Sequence, residues 1–361
     1  MIWRVDQTLL LGVVLFTSRA LATNCSTVSV TSESDAKTLR QSCQVITGDL
    51  TIGPFVQNTS TVHINLDGIE TVKGNINHDL GSHDFTYQET PFTVSSSTLT
   101  KVGGTVLFGD DVCNMLNFSM PSLTTVSGDF TMSFWCSNLT YLDITSLEFV
   151  QNLQIAGKSL TTLHHTKLSN ATGLWIYDNL LDSVDSIFNN PLNITTGAEI
   201  DTLPNVKNVT IGFHSANSLD ISDLSVILGG SSSTEMSLGN VTFYKLTGLQ
   251  RNSNLKVLTA DSVDTVPTSS MSQMDIPFDD LRQLSVREGM YSDVVTLRLP
   301  AKAANWTGGF ALSVYMSPGL NLSSMYGLDD QGNQIQTWYW PTNVSSIDIY
   351  EAIVANEFLY V

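Results

Sequence analysis

Three pairs of neighbouring aspartates, Asp110-Asp111, Asp279-Asp280 and Asp329-Asp330, and one histidine pair, His164-His165, are the residues whose types could carry acid–base chemistry. Cleaving a polysaccharide needs two or three carboxylates converging on one face, with a His, Arg or Lys beside them. Neighbours on a strand point to opposite faces, so an Asp pair supplies half a site at most. Asp favours turns, and Gly flanks two of the pairs, so turn positions explain them better. His164-His165 has no nearby acid and reads as a coil corner. No Gly-x-Ser-x-Gly, His-Glu-x-x-His, Gly-His-Gly or Arg-x-Lys motif occurs. No Asp-x-Asp-x-Asp-Gly loop occurs either, so only net charge speaks for calcium. The expectation is that there is no catalytic residue, metal or cofactor.

The best ligand candidates are aromatic. Trp338 and Trp340 in Gln334-Ile-Gln-Thr-Trp-Tyr-Trp340 share one face of a strand, and stacked aromatics suit the apolar faces of sugars. Their competing use, which we favour, is to pack a terminal cap that needs large apolar area.

Four cysteines, Cys25, Cys43, Cys113 and Cys136, permit three disulfide connectivities. The most local, Cys25–Cys43 with Cys113–Cys136, is the favoured one. No Cys-x-x-Cys supports zinc instead. Eleven Asn-x-Ser/Thr sequons occur. Asn24 abuts Cys25 and is set aside. Asn58, Asn117, Asn138, Asn170, Asn193, Asn208, Asn240, Asn305, Asn321 and Asn343 remain as N-glycosylation candidates. Both sets suit an exported protein, and the N-terminus agrees. Arg4, the apolar Leu9-Leu-Leu-Gly-Val-Val-Leu-Phe16 and Ala20-Leu-Ala22 form the three parts of a secretory signal over 1–22. The apolar run is too short to span a bilayer, so no transmembrane segment is expected after its removal.

The 361 residues carry 16 Lys+Arg against 34 Asp+Glu, a net charge of −18. Such a chain is repelled by phosphates, which excludes nucleic acid as the expected partner. Only 14% of residues are charged, so solubility rests on Ser, Thr, Asn and attached groups.

These residues must be positioned by a repeat. Pro121-Ser-Leu-Thr-Thr-Val-Ser-Gly-Asp-Phe-Thr-Met132 has close copies at Ile69-Glu-Thr-Val-Lys-Gly-Asn-Ile76 and Leu99-Thr-Lys-Val-Gly-Gly-Thr-Val-Leu-Phe108. A shorter copy is Val45-Ile-Thr-Gly-Asp-Leu-Thr-Ile52. A Gly-less one is Leu147-Glu-Phe-Val-Gln-Asn-Leu-Gln-Ile155. The glycines at 48, 74, 104 and 128 fall within the period range of solenoids. Apolar-x-apolar triplets, among them Leu50-Thr-Ile52, Ile64-Asn-Leu66, Phe130-Thr-Met132, Leu174-Trp-Ile176, Val209-Thr-Ile211 and Val241-Thr-Phe243, are strands with one buried face, stacked one per coil. Leu-x-x-Val/Leu pairs such as Leu123/Val126, Leu160/Leu163, Leu181/Val184 and Leu203/Val206 turn a second apolar edge inward. The Gly before each strand is expected at a positive-φ corner, with Asn152 and Asn208 able to replace it. Regularity is expected to fade past 212. Near the start, Ser32 or Ser34 can cap a short helix with acids in its first turn, and a Cys25–Cys43 bond would tie this lid over the first coil.

The Ser- and Pro-rich 267–277 reads as a linker. The longer strands at 294–299, 309–315, 334–340 and 346–350 then form an antiparallel unit or a solenoid cap over 278–361. The fold class is therefore all-β, a parallel β-solenoid over 23–266 with a C-terminal β-rich extension.

The opening Cys43-Gln-Val-Ile-Thr-Gly-Asp-Leu-Thr-Ile52, followed by Leu-x-x-Val-x-Gly repeats, resembles the receptor L-domain-like proteins, and within them the fungal cell-wall organisation family of Ecm33/Sps2 type. The resemblance covers about 24–265. It implies a right-handed, leucine-rich-repeat-like β-helix of one or two L-domains, N-glycosylation and a part in wall integrity, with no catalytic residues. Members of that family commonly end in a lipid-anchor signal. The last ten residues, 352–361, lack its polar spacer and apolar tail. The exposed repeat positions Thr124, Thr125, Ser127, Asp129 and Thr131 are small and polar, as suits a docking face. The expected function is that of a secreted, non-enzymatic structural or interaction protein, with a wall polysaccharide or cell-surface protein as partner. The rivals are a secreted β-helix carbohydrate enzyme and a secreted glycan- or receptor-binding module.

Overall fold

The computed structural model describes residues 23–55, 60–79, 90–109, 114–134, 138–165, 167–268, 273–287, 296–300, 306, 310–315, 326–328, 334–335 and 344–350. The expected signal segment over 1–22, Cys113, Cys136, the aspartates at 110, 111, 329 and 330, Trp338, Trp340, and the sequons at Asn58, Asn305, Asn321 and Asn343 lie outside the described residues.

Strands make up 55% of the structure, and they wind into a β-solenoid of about 11 turns. That share is more than double the usual ~20–25% because almost every side of every coil is a strand. Each early coil has three sides. The first carries a short strand such as Thr71–Val72, Lys101–Val102 or Thr125–Val126, paired in parallel with its neighbours. The second carries Leu50–Ile52, Ile76–His78, Val106–Phe108 and Phe130–Phe134. The third carries Val62–Asn65, Phe92–Ser95, Met115–Ser119, Tyr141–Asp143 and Thr162–His164.

Period-2 alternation fixes which residues face in. Leu50, Ile76, Val106, Phe130, Leu153 and Leu174 stack as one fully buried ladder. Met132, Ile155, Ile176, Ile200 and Ile221 form the next. Burying each such side chain contributes roughly 1.5–3 kcal/mol relative to exposure. Aromatic rings fill the wider early coils. Phe118 meets Phe108 and Phe130 edge-on at 5.5 and 5.7 Å.

The repeat glycines are not positive-φ corners, because Gly48, Gly74, Gly104 and Gly128 are absent from the left-handed residues, whose glycines are Gly53, Gly68 and Gly229. Their role is close approach. The amide of Gly128 donates to the carbonyl of Gly104 at 3.0 Å, and a Cβ on Gly128 would sit 2.6 Å from Thr105 Oγ1 and 3.0 Å from the Gly104 carbonyl. Nor does Asn152 replace a Gly. It stands in register above Asp129, and its amide donates to Asp129 Oδ1 at 2.7 Å, while Gln151 takes the glycine position. Asn208 opens a third-side strand, Asn208–Ile211, so Val209 and Ile211 belong to a different sheet from Leu174 and Ile176.

Past residue 148 the first two sides merge into single long strands: Phe149–Gly157, Asn170–Asn179, Leu192–Asp201, Phe213–Ser222, Glu235–Leu246 and Val257–Pro267. The strands therefore continue to pair in parallel beyond 212, where the sequence motif fades. The motif fades because a continuous strand no longer needs the Gly corner, while the inward ladder Leu219, Val241, Val263, Leu284 keeps its step of 21 or 22 residues. The Leu-x-x-φ pattern also changes corner. Leu123 turns the chain from the third side into the first, whereas Leu160, Leu181 and Leu203 lie after the second side.

Of the segment 267–277, the structure describes 267–268 and 273–277. It holds Gln273–Asp275 with Met274 and Ile276 buried, and Val257–Pro267 pairs in parallel with Asp280–Val286. Parallel pairing continues to Phe310–Tyr315 and Val344–Tyr350. Among the described pairings only Tyr326–Leu328 with Gln334–Ile335 is antiparallel.

At the other end Thr23–Cys25 and Val28–Val30 add an outermost rung to Cys43–Ile46 and Leu50–Ile52. The Cys25–Cys43 disulfide ties that rung down. The helix Glu33–Ser42 stands in for a third-side strand. Ser32 caps it, accepting from the Asp35 amide at 3.1 Å, and Ala36 and Leu39 bury its inner stripe. It packs beside Val62–Asn65, where Glu33 Oε1 accepts from the His63 amide at 2.8 Å, so the sheet edge is not left bare.

Candidate functional site

The second-side face carries a central ladder with one residue from each coil. In register these are Thr51, Asn77, Leu107, Thr131, Gln154, Trp175, Glu199, Asp220, Thr242 and Asp264, and the ladder continues into the buried Ser285 and Ser313. The largest of them, Trp175, is half-buried and marks a groove of about 530 Å³. Thr131, Gln154 and Glu199 share its ladder, Asp129 and Asn152 form one wall, and Tyr177, Asp178, Asp201 and Thr202 form the other.

The sequence builds this groove by exchanging one small residue. The neighbouring outward ladder runs Asp129, Asn152, Gly173, Gly197. At Gly173 the side chains stop, and the Trp175 ring folds across the gap. A Cβ on Gly173 would lie 2.1 Å from the indole Cη2. Gln154 donates its amide to the Tyr177 hydroxyl, which fixes the second ring.

Electrostatics set the groove apart. Asp129, Asp178, Glu199 and Asp201 line it, and among the described residues no Lys, Arg or His does. Burial raises the Glu199 carboxyl above the usual range, and the charges of Asp201 and Asp220 raise it further. Among the described residues no group of three or more His, Cys, Asp or Glu is arranged to hold a metal ion. Asp178 and Thr202 have φ of 50° and 51°, but Asp223 and Lys245 repeat this conformation at 60° and 53° outside the groove. The strain therefore belongs to how these coils leave the second side, not to the groove.

Two of the other sequence candidates, His165 and Asp279, are tied into the coils. His165 points into the core and is fully buried, with Nε2 3.3 Å from the Leu147 carbonyl oxygen and Nδ1 unpartnered among the described residues. Burial lowers its pKa to about 4, so it is a neutral core residue. His164 faces out, 5.3 Å from the Tyr141 ring. Asp279 pairs with Arg251 at 2.8 Å and accepts from the Leu258 amide at 2.8 Å, tying adjacent coils. Asn117, Asn138, Asn170, Asn208 and Asn240 are exposed and Asn193 is half-buried. Asn170 and Asn193 are in register, with the Asn193 amide donating to Asn170 Oδ1 at 3.2 Å.

Trp175, Tyr177, Glu199 and Asp201 were not singled out by sequence reasoning. The signal was present in the middle letters of the triplets, because Leu174-Trp-Ile176 places its Trp outward by the same alternation that buries Leu174. Comparison with protein-family models, curated proteins and solved structures finds no match for this chain. No described helix is long and apolar enough to cross a membrane.

Proposed function

We propose that this is an extracellular structural or interaction protein of the cell surface or wall, and that it binds a polysaccharide along the second-side face. The observation that carries this reading is the Trp175–Tyr177 groove, a pair of half-exposed aromatic rings set in a polar, flat β-face. An aromatic ring offers the C–H face of a sugar an apolar contact, while Gln154, Asn152 and Thr131 offer hydrogen bonds to its hydroxyls. Stacked strands hold these groups on a rigid frame, so little ordering entropy is lost on binding. The signal segment, the sequons and the resemblance to wall-organisation proteins support the location.

The test is co-sedimentation of the purified protein with insoluble wall polysaccharides. Retention that Trp175→Ala weakens at least about tenfold supports the reading, since stacking contributes on the order of 1 kcal/mol beyond area burial. Equal retention of both proteins would sink it.

One observation favours a second reading. Glu199, with its raised pKa, lies next to Asp201 and Asp220, the kind of arrangement a carbohydrate enzyme uses for acid–base work. Release of reducing ends or unsaturated products, abolished in Glu199→Gln, would establish it.

A further inference from the structure

Building on the polysaccharide reading, we infer that the Trp175 groove selects chains of amino sugars bearing free ammonium groups. Charge complementarity carries the inference. Four carboxylates, Asp129, Asp178, Glu199 and Asp201, line a groove that no cationic side chain enters among the described residues. Asp220 adds a fifth on the adjoining rung. Neighbouring side chains leave this charge largely unneutralised. Asp129 accepts only the neutral amide of Asn152, and Asp201 accepts the amide of Thr202 at 2.7 Å. A net charge of −18 extends the same sign over the whole molecule. Uronic acid polymers are repelled, neutral sugars gain only stacking and hydrogen bonds, and an ammonium gains a charge-assisted bond as well.

The face favours a sugar chain over a basic peptide. The strands beneath the groove spend their backbone N–H and C=O groups on parallel pairing with both neighbours, so no edge is open for strand addition. Outward side chains recur once per rung, ~4.8 Å apart. An amino sugar polymer likewise presents one ammonium per ring beside an apolar ring face, which matches carboxylates flanking Trp175.

The experiment is a titration of the full protein, followed by tryptophan fluorescence and calorimetry. The probes are a β-1,4-linked glucosamine hexamer, its fully N-acetylated form, a neutral β-glucan hexamer, an oligogalacturonate and oligolysine. The glucosamine hexamer is expected to bind at least about tenfold more tightly than the acetylated one, with the advantage shrinking as salt rises. The double substitution Glu199→Gln, Asp201→Asn should remove most of that advantage, read as the ratio of the two affinities. Trp175→Ala should weaken both, and Trp175→Phe should restore part of each. If the two hexamers bind equally, or the double variant keeps the preference, selection by charge is wrong while polysaccharide binding stands. If no sugar binds and oligolysine does, both readings fall.

Discussion

Two depressions lie on the same sheet face, and they differ in chemistry although they share a backbone. The groove at Trp175 has aromatic rings and unopposed carboxylates. The second, of about 680 Å³, is lined by Asn240, Thr242, Ser262, Asp264, Gln283, Ser285, Arg287 and Ser313. Its one acid, Asp264, is paired with Arg287 at 2.5 Å, it holds no ring, and Asn240 within it heads a sequon. The larger hollow is therefore the blander one. In a solenoid the frame supplies a place every rung, and the outward side chain alone decides what that place recognises.

The sharpest way to separate the two is to remove the support beneath each. Leu174→Ala, under the groove, should cost roughly 2–5 kcal/mol in chemical denaturation, because a fully buried Leu leaves a cavity. Val263→Ala, under the second depression, removes fewer methylenes and should cost less. Equal losses would show that the groove coils are less tightly packed than the distal ones.

Acid should attack the groove coils first. His165 lies in them with a folded pKa of about 4 against 6.5 unfolded. The unfolded state binds the proton more readily, so stability is intact above pH 6.5 and is lost as pH falls toward 4. The full loss is on the order of 3 kcal/mol. Hydrogen exchange at pH 5 should show these coils opening before those at 235–267, and His165→Leu should flatten the pH dependence. An unchanged slope in that variant would exclude His165 as the cause.

Gly173→Val should displace the Trp175 ring and lower saccharide affinity about tenfold, with tryptophan emission shifting as the ring enters water. Gly239→Val lies on the distal coils against the Asn217 carbonyl and should cost stability without changing affinity. The smallest expected effect is at Glu199. Its pKa is raised, so its ionised form opposes folding above the folded pKa and the penalty disappears below 4.5. Glu199→Gln should therefore raise the melting temperature at pH 7 and leave it unchanged at pH 4, whereas Asp264→Asn breaks an ion pair and should not raise it.

The coil architecture was legible in the sequence wherever one motif repeated. Gly48, Gly74, Gly104 and Gly128 mark four successive rungs, local spacing favoured the Cys25–Cys43 bond that the structure holds, and the structure chose Ser32 over Ser34 as the cap. The later coils were harder to read because merged strands erase the corner glycine that served as the marker. What remains is an inward Leu or Val every 21 or 22 residues, a weak signal in a chain that is 42% apolar. Why glycine is needed was also misjudged, since a stack of carbonyls and Oγ atoms above and below excludes a Cβ, and no single repeat contains that stack.

By itself the sequence determined the fold class, because period-2 alternation and a recurring glycine are local properties of each coil. It also determined that Trp175 faces outward. Only the tertiary structure decided that Trp175 lies over Gly173 beside Glu199 and Asp201. Those residues come from successive coils, and the register that brings them together depends on the length of every loop between them. A loop longer by one residue leaves each triplet unchanged as a pattern, yet a shift of one position in register would exchange the faces and dismantle the groove.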